Sequence, residues 1–171
     1  MTLAEVILGA VTLQRLAELV LARSNERKLR ARGAVEIGAP HYPLIVALHA
    51  SWLVSLWVFG HDNAVNTLAL AGYLALQGLR AWVMTSLGGR WTTRIIVLPG
   101  ETLVARGPYR YLSHPNYLVV VGEIALLPLT LNLPWIAAIF SALNTAVLAL
   151  RISVENRALA STRDARADGA A

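Results

Sequence analysis

A chain of 171 residues that is 56% hydrophobic and only 15% charged is too apolar for an ordinary soluble domain, and it is long enough for one compact unit. Its net charge of +5 is almost entirely arginine, with Lys28 the single lysine. The basic residues cluster at the ends of apolar runs rather than on one soluble face, which argues against nucleic acid as a partner and for anionic lipid headgroups. Cysteine is absent, which excludes disulfides, thiolate metal ligands and cysteine nucleophiles.

The first apolar segment runs from about Leu3 to Ala22. It carries Glu5, Arg15 and Glu18, so it is expected to be a helix of the protein rather than a cleavable signal. Arg15 and Glu18 share a helix face and can pair. Polar groups at that depth face other helices or a water-filled cavity, so the pair is either a structural tie or part of a substrate lining. The loop from Arg23 to Gly38 holds Arg23, Arg27, Lys28, Arg30 and Arg32, and part of it is expected to be a surface helix. His41-Tyr42-Pro43 opens a second segment to about Phe59, in which His49 is expected to be packed and hydrogen-bonded rather than a metal ligand. No metal site is expected.

Gly60-His61-Asp62-Asn63 makes a short turn, and a third segment spans about Val65 to Leu87 with Gln77 and Arg80 inside it. Arg80 either snorkels to the nearer interface or reaches the loop that follows. That loop, Gly88 to Ser113, is the longest polar-leaning stretch. Within it Gly88-Gly89-Arg90-Trp91-Thr92-Thr93-Arg94 is basic and hydroxyl-rich, and Ile95 to Leu98 is a short apolar piece expected to be extended. Pro115 to about Leu131 makes a fourth segment with Glu123 near its middle, and Leu133 to Leu150 a fifth. Only Asn132 and its flanking leucines separate these two, so they form a hairpin. Glu123 is either a bundle hydrogen bond or a substrate contact. The tail from Ala160 is small and polar and is expected to fray.

The fold expected is all-α: a single-domain (1–171) membrane bundle of about five transmembrane helices, the N-terminus outside and the C-terminus cytoplasmic. With the Arg23–Arg32 loop inside, the outer connections hold no Lys or Arg. The inner ones hold Arg90, Arg94, Arg106, Arg110, Arg151, Arg157, Arg163 and Arg166, as the positive-inside rule requires. The cytoplasmic membrane of a bacterium is the expected location. The sequence sets no oligomeric state.

The densest run of polar, aromatic and turn-forming residues is Gly107-Pro108-Tyr109-Arg110-Tyr111-Leu112-Ser113-His114-Pro115-Asn116-Tyr117. Pro115 suits the first position of a helix, and His114 before it is held extended at the helix mouth. The run is either an interfacial anchor or a place to hold a small polar cofactor at a helix N-terminus. Gly-x-Tyr-Arg-x-x-x-His-Pro-x-Tyr, then a hydrophobic hairpin, then Arg151-x-x-x-Glu155, resembles the isoprenylcysteine carboxyl methyltransferase family across roughly Arg90 to Leu159. Asn25-Glu26-Arg27 and His41-Tyr42-Pro43 resemble its short bacterial members. The family more often has two adjacent acids where this chain has Glu155-Asn156.

The resemblance implies an integral-membrane, S-adenosylmethionine-dependent methyltransferase with its cofactor half at 88–159. The cofactor set it implies is Tyr109, Arg110, His114, Pro115, Tyr117, Glu155 and Asn156. Arg110 suits the cofactor's carboxylate and Glu155 its ribose or amino group. Tyr109, Tyr111 and Trp91 are candidates for aromatic contact. Arg94 and Arg151 are candidates to hold an anionic substrate oxygen, and Arg15, Glu18, Arg80 and Glu123 are the candidate substrate lining. The acceptor implied is lipophilic: the carboxylate of an isoprenylcysteine, the hydroxyl of a long-chain pyrone, resorcinol or quinone, or a phospholipid amine. A non-enzymatic transporter or scaffold subunit is the rival class.

Overall fold

A computed structural model of the chain describes the backbone of residues 1–168 except Gly38 and Leu103, and their side chains except those of His41 and residues 154–168. Five α-helices dominate it: α1 (Leu3–Ala31), α2 (Tyr42–Gly60), α3 (Thr67–Leu87), α4 (Pro115–Thr130) and α5 (Pro134–Asp168). Two short strands, β1 (Val35–Ile37) and β2 (Ile95–Val97), pair antiparallel with Glu36 opposite Ile96.

α1 does not stop near Ala22 but continues unbroken to Ala31. No glycine or proline interrupts Arg23–Arg32, and an Arg30–Glu26 pair one turn apart supports the extension. The helix carries Gly9 within it and ends just before its second glycine. Gly33, at φ 88°, closes a Schellman cap in which the Ala34 N–H donates to Leu29 O at 3.1 Å and the Gly33 N–H to Arg30 O at 3.0 Å. At the other end Thr2 and Glu5 form a capping box.

α4 and α5 form the expected hairpin. Its turn is a second Schellman cap, with Asn132 at φ 55°, its N–H on Leu129 O at 3.1 Å and the Leu133 N–H on Pro128 O at 2.9 Å. Asparagine side chains fasten this end to the α2–α3 turn: Asn132 Nδ2 donates to Ala64 O at 2.6 Å and Asn63 Nδ2 to Leu131 O at 2.8 Å. Beyond the hairpin α5 stays helical through Arg151 to Asp168, past the point where the tail was expected to fray.

The core is assembled from every helix: Leu8 of α1, Trp52 and Leu56 of α2, Tyr73 of α3, Ile124 and Leu127 of α4, Ile136 of α5. A smaller cluster of Ala22, Val83, Trp91 and Val119 lies at the end where the long loop docks. The outer faces are apolar as well: Leu13, Val20, Val54, Val58, Leu68, Leu74, Ile139 and Leu143 are all exposed. Such a surface is suited to lipid rather than water. Two helical stretches, Tyr42–Gly60 and Pro134–Ser153, are long and apolar enough to cross a membrane. Shorter and apolar is Pro115–Thr130.

Candidate active site

The stretches 88–102 and 104–117 fold onto the ends of α1, α3 and α4 and line much of an open cavity of about 890 Å³. Gly107 decides how closely the loop seats. It has φ 59°, and a Cβ there would lie 2.0 Å from Ser86 Oγ at the end of α3. Arg106 fastens the same point, its Nε donating to Ser86 O at 2.9 Å. Pro108 is buried in the turn Gly107–Arg110 that follows, and the chain then rises to His114, the residue before α4. Pro115 is buried at the first position of α4, as its missing N–H predicts. The rings of His114 and Tyr117 stack one turn apart, centroids 5.2 Å and planes 17° apart.

The cavity brings together Arg90, Trp91, Arg94, Tyr109, His114, Asn116, Tyr117 and Arg151 against apolar walls that include Leu29, Leu87, Ile95, Leu98 and Ile152. Arg151 on α5 donates from Nε to Tyr117 OH at 3.0 Å and from Nη2 to Thr93 O at 2.8 Å. The guanidinium of Arg94 lies 4.0 Å above the Tyr42 ring, and its Nη1 donates to Glu36. Glu36 also pairs with Arg30. Burial works to raise the Glu36 carboxyl, but the hydrogen bonds from Arg94 and Arg30 outweigh it and hold the group below the usual carboxylate range. Glu101 joins Arg32 to Arg90, whose Nη1 also donates to Thr102 O at 2.7 Å. Two polar groups of the wall are buried without a hydrogen-bond partner among the described residues: the indole N–H of Trp91 and Oδ1 of Asn116. A buried donor and acceptor left open is a cost that a ligand with its own acceptor and donor removes.

Several sequence expectations fall elsewhere. Arg110 and Tyr111 are exposed and stand outside the cavity wall, because the short helix they end buries Pro108 and leaves its last residues outward. The side chains of Glu155 and Asn156 lie outside the described residues. Arg15, Glu18, Arg80 and Glu123 do not line this cavity but are engaged with one another between α1, α3 and α4. Arg80 Nη1 donates to Glu123 at 2.7 Å while its Nε donates to Glu18 at 2.6 Å, and Arg15 meets Glu18 at 3.0 Å and Glu123 at 2.9 Å. Gln77 adds a bond to Glu123 at 2.8 Å. Arg80 therefore neither snorkels nor reaches the loop. His49, as expected, is tied to its own helix, Nδ1 to Ile45 O at 2.9 Å.

Sequence reasoning gave no role to Asn25, Glu36, Tyr42, Thr93 or Asn116. Asn25 is buried in α1 and donates to Trp91 O at 2.9 Å, seating the cavity's tryptophan. Its signals were its place at the end of an apolar run and in the Asn25-Glu26-Arg27 stretch that resembles the short bacterial members.

The Isoprenylcysteine carboxyl methyltransferase (ICMT) family model matches residues 67–161, which is more than half of the chain. The chain belongs to the isoprenylcysteine carboxyl methyltransferase family. YpbQ of Bacillus subtilis (strain 168), described as uncharacterized, is 38% identical over 158 residues, covering 90% of this chain and 94% of that protein. An uncharacterized protein of Haemophilus influenzae is 23% identical over 151 residues, covering 85% of this chain and 88% of its own. No solved structure matches. Isoprenylcysteine carboxyl methyltransferases are membrane enzymes that use S-adenosylmethionine, so the apolar outer faces and the two spanning stretches belong to a membrane protein. The matched segment takes in α3, the loop and the α4–α5 hairpin, which together supply most of the cavity wall.

Proposed function

We propose that this protein binds S-adenosylmethionine in the loop-side cavity and methylates an acidic oxygen of a lipophilic acceptor. The observation that carries the proposal is the wall itself: guanidinium groups of Arg90, Arg94 and Arg151 set among apolar side chains. The first acceptor is the carboxylate of an isoprenylcysteine-like molecule. An acidic hydroxyl on a long-chain pyrone, resorcinol or quinone presents the same charge to the same arginines. Arg90 and Arg94 are offset by Glu101 and Glu36, but Arg151 bonds only uncharged groups among the described residues, and its charge disfavours a protonated lipid amine.

The donor set fits the cofactor. The open Trp91 N–H and Asn116 Oδ1 complement an adenine edge, which offers one acceptor beside one donor, and His114 and Tyr117 offer stacked rings beside them. When bound, S-adenosylmethionine supplies a methyl group made electrophilic by its sulfonium. The chain's own part is orientation and dryness. Arg94 and Arg151 hold the acceptor oxygen at one place, which removes the entropy of the encounter. Trp91, Leu87 and Ile95 keep water away from a reaction in which opposite charges are lost.

We further propose a multi-pass arrangement, with the cavity on the cytoplasmic side because its arginines fit the positive-inside rule. α1, α3 and α4 carry Arg15, Glu18, Arg80 and Glu123, and two arginines against two glutamates leave no net charge to carry into lipid. That closure supports five crossings, although only two helices among the described residues are apolar enough by themselves.

The test is transfer of labelled methyl from S-adenosylmethionine to a panel of acceptors with acid and amine heads and short and long tails. Acid heads with long tails are expected to turn over and their short analogues poorly, because a tail drawn from the bilayer avoids ~0.8 kcal/mol per CH₂ of transfer through water. Preferred methylation of a phosphatidylethanolamine amine would refute the acid reading.

A further inference from the structure

Three residues before the matched segment reach Arg94 of the cavity: Glu36 and Tyr42, and Glu26, whose carboxylate lies 3.6 Å from Arg94 Nε. We infer that Glu36 and Tyr42 are positioning residues that aim Arg94, and through Thr93 also Arg151, at the acceptor's oxygen; this rests on the reading of the cavity proposed above.

The contacts form one connected path. Glu36 uses both carboxylate oxygens, one on Arg94 Nη1 and one on Arg30 Nη2. Tyr42 lies under the Arg94 guanidinium, 4.0 Å from its carbon to the ring centroid. The Tyr42 hydroxyl shares a hydrogen bond with Thr93 Oγ1 at 3.1 Å, and the Thr93 carbonyl accepts from Arg151 Nη2 at 2.8 Å. Arg151 Nε then meets Tyr117 OH at 3.0 Å, beside the ring of His114. Both guanidinium groups are thereby fixed in the wall, while no bond among the described residues uses Arg94 Nη2 or Arg151 Nη1.

A free arginine side chain loses rotamer freedom when it grips a ligand, and one already held does not. The two arginines sit on different elements, Arg94 at the entry to β2 and Arg151 on α5. Their separation is therefore set by whatever fixes the strand against the bundle. β1 pairing with β2 does this from one side, and Tyr42 at the first position of α2 does it from the other. A mere fastener would hold the strand without caring about the acceptor's charge, and that difference makes the inference testable.

The probes are N-acetyl-S-farnesylcysteine with its methyl ester, and a long-chain 4-hydroxy-2-pyrone with its O-methyl ether. Each is titrated into the full chain in nanodiscs, with and without S-adenosylhomocysteine. The wild-type protein is expected to bind at least one acid about tenfold more tightly than its methylated form, the scale of one charge-assisted hydrogen bond. Glu36→Gln and Tyr42→Phe should each remove most of that preference. They should leave affinity for the methylated form and for S-adenosylhomocysteine within about twofold of wild type, and should raise the KM for the acid more than they lower kcat. Thermal unfolding of each variant, expected near wild type, guards against simple misfolding.

Preference retained in both variants, or acid and methylated affinities lost together, would overturn the inference and leave these residues as fasteners. A wild-type protein with no preference for either acid would overturn it too, since the arginines then hold no oxygen. Failure of the wild type to bind S-adenosylhomocysteine is a separate result that sinks the cavity's assignment. The acid-to-methylated ratio measured without it still decides whether Glu36 and Tyr42 aim the arginines.

Discussion

Gly107 shows how one residue of the motif is dictated by its surroundings. Its φ of 59° is open to glycine and strained for other residues, and the Ser86 hydroxyl fills the space a Cβ would need. Gly107→Ala is expected to cost about 1–3 kcal/mol from the backbone alone. It should also lift the loop from α3 and weaken ligand binding in the cavity. Pairing it with Ser86→Gly should recover the part due to the clash and leave the part due to φ. Thermal unfolding of the two variants separates the contributions, and no recovery in the double variant would show that Ser86 is not the obstacle. The sequence made Gly107 legible as a turn, because Gly-Pro punctuates any chain. It could not reveal Ser86 as the reason, since that contact depends on where α3 ends. Trp91 was readable as a candidate aromatic contact, but its open N–H and Asn116 Oδ1 were opaque for the same cause: an unpartnered polar atom is a property of the neighbours that fail to reach it.

At the scale of elements, the α4–α5 hairpin was readable because Leu131-Asn132-Leu133 leaves room for nothing but a tight turn, and Pro115 and Pro134 mark both helix starts. β1 was not readable. Three residues of alternating pattern in a charged loop carry little signal, and the strand exists because β2 pairs with it. The four charges within α1, α3 and α4 were visible one by one, and Arg15 with Glu18 as a pair. Their closure into one network required three helices at their final rotation. Glu123→Ala removes a carboxylate that is 3% exposed and leaves Arg15 and Arg80 with one glutamate between them. Breaking a buried pair on one side costs about 3–5 kcal/mol. Arg80→Met with Glu123→Leu keeps the Arg15–Glu18 pair and restores neutrality, so it should be less destabilised than Glu123→Ala alone. Unfolding measured in the same detergent checks the order. The reverse order would mean that the charges serve something other than the packing of these helices.

Across the whole molecule, membrane character was legible from composition, and the motif order placed the chain in its family before any coordinates. The division of labour was less visible. The matched segment builds most of the cavity, while α1, β1 and the start of α2 reach in through Asn25, Glu36 and Tyr42 from the N-terminal third. Long-range contacts of this kind leave no periodicity, so the sequence showed polar residues without showing what they hold. The central claim is that S-adenosylmethionine binds beside His114 and Tyr117 at the mouth of α4. Titration calorimetry of the purified protein with S-adenosylmethionine and S-adenosylhomocysteine, repeated with His114→Ala, tests it most directly. The account predicts saturable one-to-one binding that His114→Ala weakens about tenfold or more, the scale of about 1.4 kcal/mol, with little change in thermal stability. Absence of saturable binding, or equal affinity in wild type and His114→Ala, would contradict it.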